Sequence, residues 1–307
     1  MFPIKRILVA VAIPGAADQP GADKAFFLAD ATGAEVELFH AAYDSEANSG
    51  DRDRVIALRE LQLRRIALAR QPPDSTVSLK VAWSSNANAA IVDEASRYKA
   101  DLVIGHSARR GVSRLLLTYH DWHLIRELSQ PLLLVKSSHA WKSRDVIAAI
   151  DPLHANDKPS ALDKHLLAAG KALAKCTGGD LRAFHAYAPA LTYVPGTALH
   201  PIPTLASATE QRRRARAVRA IVLRVTSAAG LPTSKAFLVA GDVTKELPTY
   251  ASHHNAAVVV LGAISRSLLG RWLIGSTSER VLDKIESDVL ILHPERGNRQ
   301  RRKSRRR

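Results

Sequence analysis

The sequence GAISRSLLGRWLIGS, from Gly262 to Ser276, lies between an apolar run and a helix start signal. The preceding residues, AAVVVL at 256–261, are short and β-branched enough to predict a buried strand. Ser276 and Glu279 have the spacing of a capping box, which predicts the start of a helix. A strand, a loop of small residues and a helix N-terminus suit a phosphate, because free backbone N–H groups converge there. A glycine-bounded loop that binds nothing remains the alternative at this point.

An internal repeat organises the rest of the chain. The segment LADATG at 28–33, which leads into LFHA at 38–41, returns 145 residues later as LAKCTG and AFHA. Gly105 and Gly262 correspond at an offset of 157 residues, as do LLLV at 132–135 and VLIL at 289–292. Since the offset grows only in connecting segments, we infer a duplicated fold with loop insertions.

Both halves alternate strands and helices. Strands are predicted near 5–11, 35–41, 76–82, 101–105 and 131–136, then near 145–150, 180–186, 235–240, 256–262 and 287–293. Helices are predicted near 22–32, 51–70, 86–98 and 121–128, then near 159–176, 208–229, 244–254 and 277–286. This alternation predicts two α/β domains, each a five-stranded parallel sheet with helices on both faces. The predicted boundaries are 1–140 and 141–296, followed by a basic tail at 297–307.

The loop spacing resembles that of a known family. Gly262, two residues, Ser265, nine residues and then Gly275-Ser276 is similar to the nucleotide loop of the universal stress proteins, G-x2-G-x9-G-[S/T], with Ser265 replacing the second glycine. The tandem repeat and DWHLIR at 121–126 resemble the E-type members of this family. The resemblance implies Rossmann-like domains, a role as a stress-response regulator, and ATP or another nucleotide-bearing ligand. It also implies that the final strands of the two domains pair as an intramolecular pseudo-dimer, while a homodimer stays open.

The predicted nucleotide site belongs to the second half. Its residues are Asp151, Gly262, Ser265, Gly275, Ser276 and Thr277. Gly262 and Gly275 have no Cβ to keep an oxyanion from the backbone. The hydroxyl groups of Ser276 and Thr277 can donate hydrogen bonds to a phosphate. Asp151 ends the first strand, where the family has an Asp beside the adenosine moiety. Its carboxylate can accept a ribose hydroxyl, or it can belong to an Asp-Pro turn without a ligand.

The first half is predicted to be a degenerate copy that binds no nucleotide. The equivalent positions hold Ala12, Gly105, Ala108, Thr118, Tyr119 and His120. Bulky side chains at a helix N-terminus would fill an anion pocket, and the Asp151 equivalent is Ala12. The second half also has a longer connection at 189–207. It is predicted either to roof the nucleotide pocket, through Tyr193 and Val194, or to be a surface loop on its own domain.

Charge suggests a further partner. The net charge is +15, and the tail from Gly297 onward has seven basic residues and no acid. Such a tail is predicted to be disordered, because it has nothing to bury. It could attach non-specifically to nucleic acid or other polyanions, or serve only solubility. The arginine-rich helix near 208–229 is predicted to be a solvated face, with an anionic partner as the alternative.

Composition and missing motifs exclude several classes. There is one cysteine, so neither an intrachain disulfide nor a cysteine-based zinc site is predicted. P-loop, GxGxxG and HExxH motifs are lacking, so no metal-ligating residues are predicted, and a metal that accompanies the nucleotide stays open. No apolar run approaches the ~20 residues that cross a bilayer, so we expect no membrane span and a cytoplasmic protein. No carboxylate or lysine is evident beside the phosphate loop. We therefore expect a binding protein that is not an enzyme, with slow ATP hydrolysis as the alternative.

Overall fold

The computed structural model describes residues 4–106, 119–153, 160–194, 202–263 and 276–293. The strands of the first half are β1 (Arg6–Ala10), β2 (Glu35–Ala42), β3 (Val77–Trp83), β4 (Leu102–His106) and β5 (Leu132–Val135). Its helices are α1 (Pro20–Thr32), α2 (Ser49–Arg70), α3 (Ala87–Arg97) and α4 (Tyr119–Glu127).

The second half repeats this order and adds one hairpin. Its strands are β6 (Val146–Ala149), β7 (Leu181–Tyr187), β8 (Leu191–Val194), β9 (Ile202–Leu205), β10 (Ala236–Ala240), β11 (Val258–Gly262) and β12 (Asp288–Leu292). Its helices are α5 (Ser160–Thr177), α6 (Ala208–Ala228), α7 (Val243–His253) and α8 (Ser276–Lys284), with a 3-10 turn at Thr233–Lys235.

The helix ends follow local signals. Asn48 caps α2 by accepting a hydrogen bond from the Asp51 backbone N–H at 3.0 Å, and Ser207 caps α6 in the same way. Gly33 and Gly178 follow the equivalent helices α1 and α5, and both have a φ of 71°. This left-handed conformation favours glycine, so the first helix of each half ends with the same glycine C-cap. The predicted helix ends differ from the observed ones by at most two residues.

The described strands, apart from β8 and β9, form one ten-stranded sheet in the order β10-β7-β6-β11-β12-β5-β4-β1-β2-β3. Within each half every neighbouring pair is parallel, which confirms the predicted α/β class. The halves join where β12 and β5 pair antiparallel, with Leu133 opposite Leu290. The two final strands therefore pair as expected, and each covers an apolar edge of the other.

The sheet is covered on both sides. One face packs against α1, α2, α5 and α6, through residues such as Phe26, Leu63, Leu166 and Val218. The other face packs against α3, α4, α7 and α8. The helices of both halves share these two layers because the antiparallel junction relates the halves by an approximate two-fold rotation about an axis perpendicular to the sheet.

The segment at 189–207 was not predicted to contain strands, and this was wrong. Within it, β8 and β9 form a separate antiparallel pair in which Leu191 lies opposite Leu205 and Tyr193 opposite Pro203. Prolines at 201 and 203 weakened the strand signal, although proline is compatible with the edges of a two-stranded ribbon. The residues between the two strands, 195–201, lie outside the described part of the chain.

Candidate functional site

The candidate site lies where the strand order of the second half reverses. The first strand of this half, β6, pairs with β7 on one side and with β11 on the other. Val146 lies opposite Val258, and Ala148 lies opposite Val260. Since the strands are parallel, their carboxyl ends meet at one edge, and such a reversal leaves a crevice above the sheet.

The structure brings two predicted site residues to this edge. Asp151 follows β6 and is half-buried, and Gly262 is the last residue of the neighbouring β11. Ser276 and Thr277 are the first two residues of α8, which begins one residue earlier than predicted. The predicted residues Ser265 and Gly275 lie outside the described residues.

Two side chains hold the end of β6 in place. The Asp163 carboxylate, in the first turn of α5, accepts a hydrogen bond from the Asp151 backbone N–H at 3.1 Å. The His185 ring, from β7, donates through Nδ1–H to the Ile150 carbonyl at 3.0 Å. Because this carbonyl can only accept, the hydrogen of this bond lies on Nδ1 of His185.

His185 has a further property that the sequence did not reveal. The residue is 3% exposed, and its Nε2 atom is buried without a hydrogen-bond partner among the described residues. In the sequence, His185 repeats His40 at the offset of 145 residues. That repetition was the available signal. Asp163 has no comparable signal, because an acidic residue in a first helical turn is common.

The first half has the equivalent histidine contact but no carboxylate at the position of Asp151. His40 donates through Nδ1–H to the Val11 carbonyl at 2.7 Å, and Ala12 follows. Burial is the largest cause that lowers the pKa of His40, so the neutral ring is favoured. Gly105 in β4 lies opposite Ala10 of β1. Its equivalent, Gly262, is the last residue of β11, the strand that pairs with β6.

Other first-half residues are only partly described. Tyr119 and His120 are the first two residues of α4. Ala108 and Thr118 lie outside the described residues. Because β5 and β12 are antiparallel, the carboxyl ends of the two halves lie at opposite edges of the sheet. A ligand in one half would therefore be well separated from one in the other.

The far end of α8 is held by the first half. Lys136, just after β5, donates through Nζ to the backbone carbonyls of Leu282, at 2.6 Å, and Ile285. Burial lowers the pKa of Lys136 to about 8, although Asp283 and Asp288 act in the opposite direction. A cation beside carbonyls at a helix C-terminus is favourable. The helix that begins at the candidate site is thus anchored by a residue from the other half of the chain.

Within the described ranges, no group of three or more His, Cys, Asp or Glu residues could hold a metal ion. The helices within the same ranges include none with the length and apolar character required to cross a bilayer.

Each half of the repeat matches the same known protein family. The model of the Universal stress protein family matches residues 3–136 and again 144–293. Universal stress protein E of Salmonella typhi is 22% identical over 301 residues, which cover 94% of each chain. A universal stress protein E homolog of Haemophilus influenzae is 23% identical and covers 72% of this chain and 71% of its own length.

Solved structures show the same fold. A putative universal stress protein from Pseudomonas aeruginosa UCBPP-PA14 superposes with a TM-score of 0.73 at 23% identity, covering 96% of this chain and 95% of that one. A universal stress protein from Archaeoglobus fulgidus reaches a TM-score of 0.65 at 14% identity, covering 93% of this chain and 98% of that one. The two family matches and the full-length relatives show that the chain belongs to the universal stress protein family, with two copies of its domain in tandem.

Proposed function

We propose that the protein is a stress-response regulator that binds ATP, or another ligand carrying a nucleotide, in its second half. The observation that carries the proposal is the position of Asp151 and Gly262 at the carboxyl ends of the neighbouring strands β6 and β11. A carboxylate at this edge can accept a ribose hydroxyl. The glycine allows a phosphate to approach the backbone of the following loop.

The order of elements around this point supports the same ligand. A helix, α8, begins at Ser276 after the loop that follows β11. The N-terminus of a helix favours an anion through its free N–H groups and its dipole. We propose Ser265, Gly275, Ser276 and Thr277 as the phosphate-binding part of the site, and Asp151 as its ribose-binding part.

The proposal is specific to one half. The first half has Ala12 in place of Asp151, so it lacks an acceptor for the ribose, and Thr118, Tyr119 and His120 replace the small and hydroxyl residues of the loop. One nucleotide per chain is therefore expected.

Calorimetric titration of the full chain with ATP, ADP and AMP tests the proposal. Gly275→Asp adds a carboxylate where a phosphate would lie, and like charges in a confined site repel. We expect this variant to lose binding. Thr118→Asp, the matched substitution in the first half, should leave affinity and stoichiometry unchanged. Two equivalent nucleotides per chain, or equal losses in both variants, would overturn the assignment.

We also propose that the bound nucleotide is not turned over. The family resemblance implies a regulator, and no carboxylate or lysine was identified beside the loop in the sequence. ATP incubated with the protein should be recovered intact. Steady ADP release that disappears in Gly275→Asp would identify a slow ATPase instead, while ADP release that persists in this variant would indicate a contaminating enzyme.

A further inference from the structure

One surface of the second half carries an excess of positive charge. Helix α6 contains six arginines and one glutamate, Glu210. All six arginines are exposed: Arg212, Arg213, Arg214, Arg216, Arg219 and Arg224. Arg213 pairs with Glu210 at 3.1 Å, and this pair is itself exposed. From Arg212 to Arg224 the helix extends over about 18 Å, at 1.5 Å per residue.

The neighbouring helix enlarges this surface. Helix α5 packs beside α6 and exposes Lys164, Lys171 and Lys175. Its one acidic residue, Asp163, is 1% exposed and therefore contributes no surface charge. We call the exposed side of α5 and α6 the cationic face.

The equivalent helices of the first half differ in character. Helix α1 exposes Asp23 and Asp30, and its single lysine, Lys24, is buried. Helix α2 mixes its arginines with three acids and exposes leucines at 58, 61 and 68. Since α1 and α2 cover the same side of the same sheet, the fold does not require the charge of α5 and α6.

The start of α6 is fixed to the domain. Gln211 donates through Nε2 to the Ala190 carbonyl at 2.7 Å and accepts from its N–H at 3.0 Å. Arg214 donates through Nε to the Ala188 carbonyl at 2.7 Å. These contacts join the helix to the segment after β7. The start of the helix backbone is therefore held against the domain, which limits the ordering entropy lost there when a partner binds.

We propose that the cationic face binds the phosphate backbone of duplex nucleic acid without reading its sequence. Guanidinium groups bind phosphates with two hydrogen bonds each, and a row of them matches the regular charge of a duplex. Neither α5 nor α6 contains Phe, Tyr or Trp, so the face has no aromatic platform on which unpaired bases could stack.

The exposed residues favour nucleic acid over a membrane surface. The exposed positions of α6 hold only Arg, Ala, Ser and Thr. A helix that lies in a membrane interface buries large apolar side chains there, and α6 exposes none. The inference is independent of nucleotide binding, because the face lies over α5 and α6 and involves none of the candidate site residues.

Fluorescence anisotropy with a labelled DNA duplex of about 20 base pairs, measured over a range of salt concentrations, tests this. The test variant is Arg212→Ala/Arg216→Ala/Arg219→Ala, which removes one row of charges at spacings of four and three residues. Loss of three phosphate contacts should lower the slope of log affinity against log salt by about 2.7, and affinity at 0.1 M salt by on the order of 100-fold. Replacing the same residues by lysine should largely restore the slope.

Two matched controls remove the same charge elsewhere in the full chain. Arg54→Ala/Arg64→Ala/Arg65→Ala acts on exposed residues of α2, and Arg305→Ala/Arg306→Ala/Arg307→Ala acts on the tail. Both should change the slope by less than about 1. An equal loss in the α2 variant, or a larger loss in the tail variant, would overturn the proposal. So would binding to phosphatidylserine vesicles that the α6 substitutions abolish while the duplex is not bound.

Discussion

Glu37 in β2 and Arg182 in β7 occupy equivalent positions of the repeat, 145 residues apart, yet they carry opposite charges. Glu37 is buried beside Glu94 and accepts hydrogen bonds from Ser78 and Arg97. Its Oε1 atom has no partner among the described residues. Arg182 instead donates to Asp145, which also accepts a hydrogen bond from the Asp180 backbone N–H.

A second pair of equivalent positions lies at the junction. Lys136 and His293 are 157 residues apart, and each donates to a carbonyl near the C-terminus of a helix in the other half. Nearby, however, Asp288 of the second half corresponds to Pro131 of the first. The junction contact is thus repeated, while the buried carboxylate of Asp288 has no equivalent at position 131.

These comparisons show which features the fold requires. Apolar strand residues such as Leu133 and Leu290 are equivalent and equally buried, because either half needs the same core. Glu37 and Arg182 have diverged in charge at equivalent positions, since a buried charge needs only a suitable local partner. The following predictions test the differences between the halves, beginning with the largest expected effect.

Asp288→Ala should be strongly destabilising. Asp288 is 1% exposed and accepts hydrogen bonds from the backbone N–H groups of Lys136 and Ser137 and from Trp141 Nε1, at 2.7 to 2.9 Å. Its removal leaves these donors unpaired near two buried lysines, so the free energy of unfolding should fall by about 3–5 kcal/mol. Urea denaturation measures the change.

The control is Asp180→Ala, which removes an exposed carboxylate paired with Lys235. Exposed pairs contribute about 0–1 kcal/mol, so this variant should unfold close to the parent protein. If the two variants lose similar stability, Asp288 does not hold the junction together.

Glu37→Gln should alter the pH dependence of stability. Burial, followed by the neighbouring Glu94, raises the pKa of Glu37 to about 7, and Arg97 only partly opposes this. The contribution of protonated Glu37 is fully present below the unfolded pKa near 4.5 and is lost as pH rises through about 7. The parent protein should therefore lose about 1–2 kcal/mol of unfolding free energy between pH 5 and 8 that the variant retains.

Glu35→Gln is the matched control, because Glu35 lies exposed in the same strand. Its pH dependence should follow that of the parent. The second half should contribute no similar loss at neutral pH, because the hydrogen bonds from Arg182 and Asp180 outweigh the effect of burial and lower the pKa of Asp145. Identical pH profiles for the parent and Glu37→Gln would show that Glu37 does not titrate in this range.

His185→Ala and His40→Ala should differ in their effect on nucleotide binding. Both histidines brace the end of a first strand, but only His185 holds the strand that leads to Asp151. Loss of this brace should weaken nucleotide affinity about fivefold in calorimetry, or about 1 kcal/mol. His40→Ala should leave affinity unchanged while costing similar stability. Equal effects on affinity would contradict a ligand site confined to the second half.

Ala12→Asp should have no measurable effect on nucleotide stoichiometry. The substitution supplies the carboxylate that the first half lacks, yet Thr118, Tyr119 and His120 still replace the small and hydroxyl residues of the loop. Titration should continue to give one nucleotide per chain. The appearance of a second site would show that the first half fails to bind nucleotide only because it lacks this carboxylate.

The local pattern of residues was sufficient to predict most of the elements. Strands such as β11 and helices such as α6 were predicted to within one or two residues, because hydrophobic periodicity and capping residues act over a few positions. The hairpin of β8 and β9 was missed, since short strands containing proline have weak local signals. The candidate site was predicted from residue types and their spacing. The structure describes Asp151 and Gly262, while the role of the loop up to Gly275 in binding phosphate stays a prediction.

The sequence by itself determined the α/β class, the duplication and the residues of the candidate loop, because these follow from local periodicity and from spacing within the chain. Only the tertiary structure decided that Asp163 and His185 brace the strand end, that Asp288 holds Trp141, and that α5 and α6 form one cationic face. These contacts join residues from 12 to 147 positions apart, or whole helices. Many pairings of this kind are compatible with one sequence pattern, and packing of the complete sheet selects among them.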